Sequence, residues 1–307
     1  MERQLIVSAA SLRYFAEVVK AGSIRKASER LHVAASAVSR QLALLEEQLG
    51  APLLERGRGR TALRLTAAGE LMVRHVRHAD RELDRVRSEI DALKGLRKGH
   101  IRFGVPETFV RDVVPRFLER FNARHPGVSF QVEVAASTRL SDMVGDDELD
   151  VALTFNPLPS LRVKHLYERL LETCVLMSSK HPLASRPWLT LSDCAEYGLA
   201  MPDHTMNAMQ IYDDMFAKAR IVPRKVLVTN SYELMRAVAE TGMAIALANK
   251  RPGDKDMTGQ HRYVPIKDRR VKPQRLSICT FEGRNPSPIA AVFIEALIKE
   301  FKQMELT

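Results

Sequence analysis

The stretch LRYFAEVVKAGSIRKASERLHVAASAVSRQLALLEEQLGAPLLER, residues 12–56, decides how the front of this 307-residue chain folds. Leu12, Phe15, Ala16 and Val19 recur at helical spacing, predicting a helix over about Ser11–Ala21 that Gly22 ends. Ser23 is a suitable cap for a second helix, Ile24–Leu31, whose inner face is Ile24, Ala27 and Leu31. Ala27 is small, which lets two helices cross closely. After the turn His32-Val33-Ala34, a third helix is predicted from Ala35 to Leu49, with Val38, Leu42, Leu45 and Leu49 as its buried stripe. Gly50 stops it and Pro52 prevents its return. Helix, short turn and helix is the arrangement that places a second helix in the DNA major groove. The outward face of that helix should carry Ser36, Ser39, Arg40 and Ala43. Arg40 can fork onto a guanine edge or clamp a phosphate, and the two serine hydroxyls can reach bases or phosphate oxygens. Behind it, a polar glycine-rich segment with Arg56, Arg58, Arg60 and Arg64 leads into Leu63 and Leu65, which reads as a hairpin with a basic tip. Each phosphate such arginines neutralise releases counterions.

This stretch, followed by LTAAGE at residues 65–70, resembles the signature of LysR-type transcriptional regulators. The resemblance is specific over the first 65 residues or so and looser to about residue 300. It implies a winged helix-turn-helix over 1–66, a dimerisation helix over 67–95 and an effector-binding domain over 96–307. It also implies dimers that assemble into tetramers. Relatives often open the reading helix with Ser-Gln-Pro, where this chain has Ala34-Ala35-Ser36. The glutamine that reads bases in many relatives is therefore an alanine, so Arg40, the wing and DNA shape should carry more of the selectivity. The missing serine leaves the helix start either weakly capped or capped by Ser36.

Composition agrees with a polyanionic partner. Lys and Arg number 47 against 37 Asp and Glu, a formal net charge of +10. Residues 1–95 hold seventeen basic and twelve acidic side chains, half of the excess in under a third of the chain. Three scattered cysteines without CxxC spacing argue against zinc and against a disulfide framework; Cys174, Cys194 and Cys279 are expected to be small buried hydrophobes. Leu5–Ala10 is too short for a signal peptide, and no apolar run approaches membrane-spanning length, so a cytoplasmic protein without a membrane partner is expected.

Met72, Val76, Ala79, Leu83, Val86, Ile90 and Leu93 are spaced alternately four and three, a heptad stripe on an otherwise charged helix. So narrow a stripe on so long a helix calls for a partner helix, expected from a second copy. Gly95 and Gly99 then read as a hinge.

From residue 100 the pattern alternates. IRFGV, VSFQVEV and DVALTF read as strands, with helices at Val113–Arg124 and Leu140–Glu148 between them. A second run has CVLM, helix Ala208–Ala219, KVLVT, helix Tyr232–Glu240 and MAIALA. RLSICTF and a helix at Ile289–Phe301 close the chain by returning to the first lobe. Such alternation predicts parallel sheets. The expected fold is thus α plus α/β: the winged head, a long linker helix and a two-lobed α/β domain, lobe I about 100–170 and 267–307, lobe II about 171–266. Two lobes joined by two crossovers form a clam shell resembling periplasmic binding proteins, as LysR-type effector domains do. In such sheets ligands sit at strand carboxyl ends near helix N-termini, where amides favour an anion. The candidate effector residues are Thr108, Ser137, Thr138, Phe155, His204, Thr205 and Asn230. Ser137 and Thr138 suit a carboxylate, and equally suit helix capping. Glu107 is an acid in the proposed cleft that could favour a ligand with a donor or a positive group, but it is expected simply to face solvent. A basic stretch over 250–275 reads as a solvated loop, with a second nucleic-acid surface as the alternative. No phosphate-binding loop, dinucleotide fingerprint, nucleophile elbow or zinc-protease motif occurs, so no enzyme, metal or cofactor is expected.

Overall fold

A computed structural model describes residues 7–55, 63–93, 98–250 and 259–304. The chain forms two compact units that divide between Arg87 and Ser88.

The first unit contains α1 (Ala9–Ala21), α2 (Ile24–Leu31), α3 (Ala35–Leu49) and most of α4 (Ala67–Leu93). Helix α1 begins two residues before the predicted start, because Ser8 caps it by accepting from the Ser11 amide at 3.1 Å. Ser23 caps α2 as its position suggested. Phe15, Val18, Ala27, Val38, Leu42, Leu45 and Leu53 fill the core, with Leu12, Val19, Ile24, Leu31 and Leu49 packed around it. The deepest residues of α1 are therefore Phe15 and Val18, the latter in place of Val19. The Ser11 hydroxyl donates to Gln41 Oε1 at 2.8 Å, which ties α1 to α3.

Glu46 of α3 turns back to accept from the amides of Leu53 and Leu54, at 2.7 and 3.2 Å. This fixes the chain as it leaves α3 for the hairpin stem. There Leu54 bridges Leu65 in antiparallel fashion, and the Glu55 amide donates to Arg64 O at 2.9 Å. Thr66 then caps α4 by accepting from the Gly69 amide. A side chain at Gly69 would meet Leu53 O at 2.1 Å, so only glycine lets α4 pass the hairpin base. Met72, Val73 and Val76 pack into the head's core. Further along the stripe Leu83, Val86 and Ile90 are 66%, 40% and 44% exposed.

The second unit holds two five-stranded sheets. In lobe I the strands are β1 (Lys98–Val105), β2 (Gly127–Val134), β3 (Val151–Phe155), β4 (Val163–Leu171) and β10 (Gln274–Phe281), in the order β2-β1-β3-β10-β4. In lobe II they are β5 (Thr173–Ser178), β6 (Leu199–Pro202), β7 (Lys225–Thr229), β8 (Ile245–Asn249) and β9 (His261–Pro265), in the order β7-β6-β8-β5-β9. Three adjacent strands in each sheet run parallel, but β10 is antiparallel to β3 and β4, and β5 to β8 and β9. The sheets are mixed and not wholly parallel. The reversal has a topological cause: β5 and β10 are the strands that enter each lobe directly from the other, without a helical crossover. Helices α5 (Val113–Arg124), α6 (Ser137–Gly145) and α10 (Pro288–Gln303) cover lobe I; α7 (Leu191–Ala195), α8 (Asn207–Ala219) and α9 (Tyr232–Thr241) cover lobe II.

Gly99 belongs to β1, paired with Val128, and is not a hinge. A side chain there would come within 2.7 Å of Ile289 of α10, so its smallness serves packing. Gly95 lies outside the described residues.

Candidate functional site

The outward face of α3 is the first site. Ala35, Ser36, Ser39, Arg40 and Ala43 are all exposed, while Val38, Leu42 and Leu45 between them are buried. The 3.6-residue period thus sorts one helix into a gripped face and a free face. The start of α3 is the weakly capped alternative: its N-cap is Ala34, with no side-chain acceptor, and Ser36 lies inside the helix. Its first amides are open to a partner's phosphate oxygen. Arg56, Arg58 and Arg60 lie outside the described residues; to either side of them the Leu54–Leu65 bridge and the bond from the Glu55 amide to Arg64 O are formed.

The second site is a cavity of about 350 Å³ between the two lobes, lined from both sheets. Ser137, Phe155, Thr205 and Asn230 line it; Thr138 and His204 do not, and Thr108 lines a smaller adjacent void with Tyr232 and Arg236. Three helices begin at its edge. Helix α6 starts after Ala136 and α8 after Met206, neither of which caps with its side chain. Ser137 is thus the first helical residue and not the cap. Its Oγ accepts from the Phe155 amide at 2.8 Å, which pins the end of β3 to α6 and leaves the hydroxyl proton free to turn. Helix α9, by contrast, is fully served. Ser231 caps it by accepting from the Leu234 amide at 3.1 Å.

Glu107, expected in solvent, is the third party at α9. One carboxylate oxygen accepts from Ser231 Oγ at 2.9 Å and the other from the Tyr232 amide at 2.6 Å. It sits just past β1 in lobe I, so these bonds join the lobes across the cavity. Burial raises the Tyr232 phenol pKa above its ordinary value, and the nearby Glu107 carboxylate adds to the effect. Sequence reading missed this contact because 124 residues separate its partners.

The cavity's remaining wall is a small amide cluster. Asn156, in a left-handed conformation at φ 46°, donates from Nδ2 to Gln274 Oε1 at 3.2 Å and accepts from the Arg275 amide at 2.8 Å. This couples the end of β3 to the start of β10. Opposite, Asp203 accepts from both the amide and the hydroxyl of Thr205, and these bonds hold its carboxyl below the usual range.

The cysteines are buried, and burial pushes the Cys174 and Cys279 thiols up to about 11 and Cys194 to about 12. Thiols so protonated are poor nucleophiles. Of the basic stretch over 250–275, Arg270 pairs with Asp268 and Arg275 with Glu168; residues 251–258 lie outside the described region. No described helix is long and apolar enough to cross a membrane.

Comparison with known proteins agrees with this geometry. Residues 9–70 match the family described as "Bacterial regulatory helix-turn-helix protein, lysR family", and residues 94–302 match "LysR substrate binding domain". The chain is 30% identical over 249 residues to the transcriptional activator protein LysR of Escherichia coli K12, covering 79% of this chain and 78% of that protein. Among solved structures it resembles full-length CbnR complexed with its target DNA, at TM-score 0.66 and 21% identity, covering 95% of this chain and 99% of the other. It also resembles the effector-binding domain of QuiR in complex with shikimate, at TM-score 0.56 and 18% identity, covering 67% of this chain and 98% of the other. A sorted reading helix, a hairpin behind it and a two-lobed domain around a cavity, matched along nearly the whole chain, place this protein in the LysR family of DNA-binding transcriptional regulators with an effector-binding domain.

Proposed function

We propose that residues 1–66 read an operator in double-stranded DNA, that residues 67–95 pair two copies, and that residues 96–307 take a carboxylate-bearing, organic-acid-like effector between the lobes. The observation that carries the effector reading is the pair of helix starts at Ala136 and Met206, uncapped and facing a cavity. Helix starts without a side-chain cap cost roughly 0.5–2 kcal/mol each, and a bound carboxylate recovers that by accepting from the open amides. Ser137, whose hydroxyl proton is uncommitted, is the hydroxyl proposed to orient it, with Thr205, Phe155 and Asn230 shaping the wall. Complexes of the related CbnR with DNA and QuiR with shikimate are consistent with these two roles.

Ser36, Ser39 and Arg40 are the proposed base- and phosphate-contacting residues of α3, with Arg56, Arg58 and Arg60 on the wing's phosphates. Exposed Leu83, Val86 and Ile90 are the proposed seam of a homodimer through α4, which the family's habit extends to a tetramer. A protein that acts on the chromosome belongs in the cytoplasm.

Arg40→Ala tests the reading helix. A guanine fork is worth about 1–3 kcal/mol, so operator affinity should drop roughly five- to 150-fold while nonspecific binding changes little. Fluorescence anisotropy on operator and scrambled fragments, repeated across salt, separates the two. Specific binding left intact by Arg40→Ala would overturn the assignment.

A further inference from the structure

Among the described residues the cavity lining has one formal charge, and it is negative: Glu107 is the only charged residue there, with no described lysine, arginine or histidine beside it. Asp203 is not in the lining, but it accepts from the amide and hydroxyl of Thr205, which is. Positive character comes from the opened starts of α6 and α8, and the side-chain amides of Asn207 and Asn230 add neutral donors. The start of α9 adds none, because Glu107 already holds the Tyr232 amide and Ser231 caps the next turn.

This pattern constrains the ligand. A single carboxylate finds amide donors at the open helix starts. A second carboxylate would share the space with Glu107 and meet no cation. The unused lone pairs of Glu107 ask for donors, best supplied by an ammonium group. A volume near 350 Å³ lies at the small end of ligand sites, which run from about 300 to 1,000 Å³. We propose that the effector is a zwitterion the size of a free amino acid, its carboxylate on the amides of α6 and its ammonium against Glu107. The proposal rests on the reading of the cavity as the effector site and narrows it. Glu107 is then a specificity residue: it rejects dicarboxylates and simple carboxylic acids by offering them only repulsion or an unfilled acceptor.

The test uses the full-length protein and thermal-shift titration with three matched sets: the free amino acids, their 2-hydroxy acid counterparts, and four- to six-carbon dicarboxylates. At least one amino acid should raise Tm by several degrees, with its hydroxy counterpart at least tenfold weaker and the dicarboxylates inert. In Glu107→Gln the side-chain oxygen can still accept from Tyr232 while the charge is gone. That variant should lose the preference, binding the hydroxy acid at least as well as the amino acid. A wild type that prefers dicarboxylates or hydroxy acids, a preference unchanged by Glu107→Gln, or no response to any amino acid overturns the zwitterion assignment. Asn230→Trp, at an exposed position on the cavity wall, distinguishes the deeper failure. A shift that survives it locates binding elsewhere and overturns the cavity reading itself; a shift lost with it, but for the wrong class of compound, overturns only the zwitterion.

Discussion

The two lobes share a strand order but not a core. Nine of the eleven phenylalanines lie in lobe I and one, Phe216, in lobe II. In lobe I they interlock: the Phe293 ring sits 5.2, 5.1, 5.0 and 5.9 Å from the rings of Phe103, Phe117, Phe121 and Phe130. Lobe II is filled instead by Met177, Met201, Met215, Tyr212 and Leu residues, with an alanine-rich second layer of Ala200, Ala239, Ala244 and Ala246 under Met235. Edge-to-face aromatic packing has few alternatives, whereas methionine refits to changed surroundings. Lobe I is thus the fixed jaw of the cavity and lobe II the adaptable one. In a sensor that must answer ligand without unfolding, this places repacking on the side that carries α8 and α9.

The largest test of that contrast is Phe293→Ala. Removing the hub of four aromatic contacts should cost about 3–5 kcal/mol, since the surrounding rings are locked and cannot close the void. Urea unfolding of the full-length protein should show the second unit's transition moved to lower denaturant. A loss below about 1 kcal/mol would break the picture of lobe I as a fixed frame.

A second test is alkaline titration. Cys174 and Cys194 sit in lobe II and Cys279 in lobe I, all with thiol pKa values raised from about 9 to about 11 or 12. A raised folded-state pKa contributes stability that is present below pH 9 and is lost as pH climbs toward 11–12, because only the unfolded chain releases the proton readily. Native protein should leave a thiol reagent unreacted at pH 8, and Tm should fall between pH 9 and 11. An adaptable lobe II predicts that Cys174 and Cys194 become reactive before Cys279, read by mass spectrometry of the labelled peptides.

How far the sequence showed all this differs by region for physical reasons. Helices α1 to α3 were legible because each buries a stripe at helical period and ends on Gly or a capping Ser, all local signals. Strand β7 was legible from KVLVT alone. Strand β6 was not: its four residues end in Pro202 and carry no alternation, and only its neighbours β7 and β8 make it a central strand. Strand β4 was missed because its stretch mixes charges and apolar residues on an edge, held by its long antiparallel register with β10. The candidate effector loops followed from topology, since strand ends gather at one place. The bond from Glu107 to α9 did not, because nothing local distinguishes a carboxylate bound for solvent from one bound for a helix start in the other lobe.

Ala136→Asp sharpens the contrast between the open helix starts and the closed one. Ala136 already has the extended backbone of a cap, at φ −65° and ψ 149°, so an aspartate there can accept from the first-turn amides without strain. Stability should rise by about 0.5–2 kcal/mol, and effector-induced thermal stabilisation should vanish because the ligand's place is taken. Stabilisation with an intact ligand response would show that the opening at α6 is not used.

The smallest effect is the most direct probe of the adaptable jaw. Met215 is 3% exposed in the core of lobe II, on the inner face of α8. Met215→Leu keeps volume nearly constant but replaces a flexible thioether with a branched, stiffer side chain. Such swaps usually cost less than about 1.5 kcal/mol, and here the cost should sit at the low end because neighbouring methionines can refit. The ligand response should change more than the stability does: if α8 shifts when lobe II closes over a ligand held on lobe I, stiffening its buried face lowers apparent effector affinity while leaving the unfolding midpoint almost unmoved. Isothermal titration beside urea unfolding reads both quantities. A variant that loses stability in step with affinity would make lobe II as rigid as lobe I and remove the reason for its methionines.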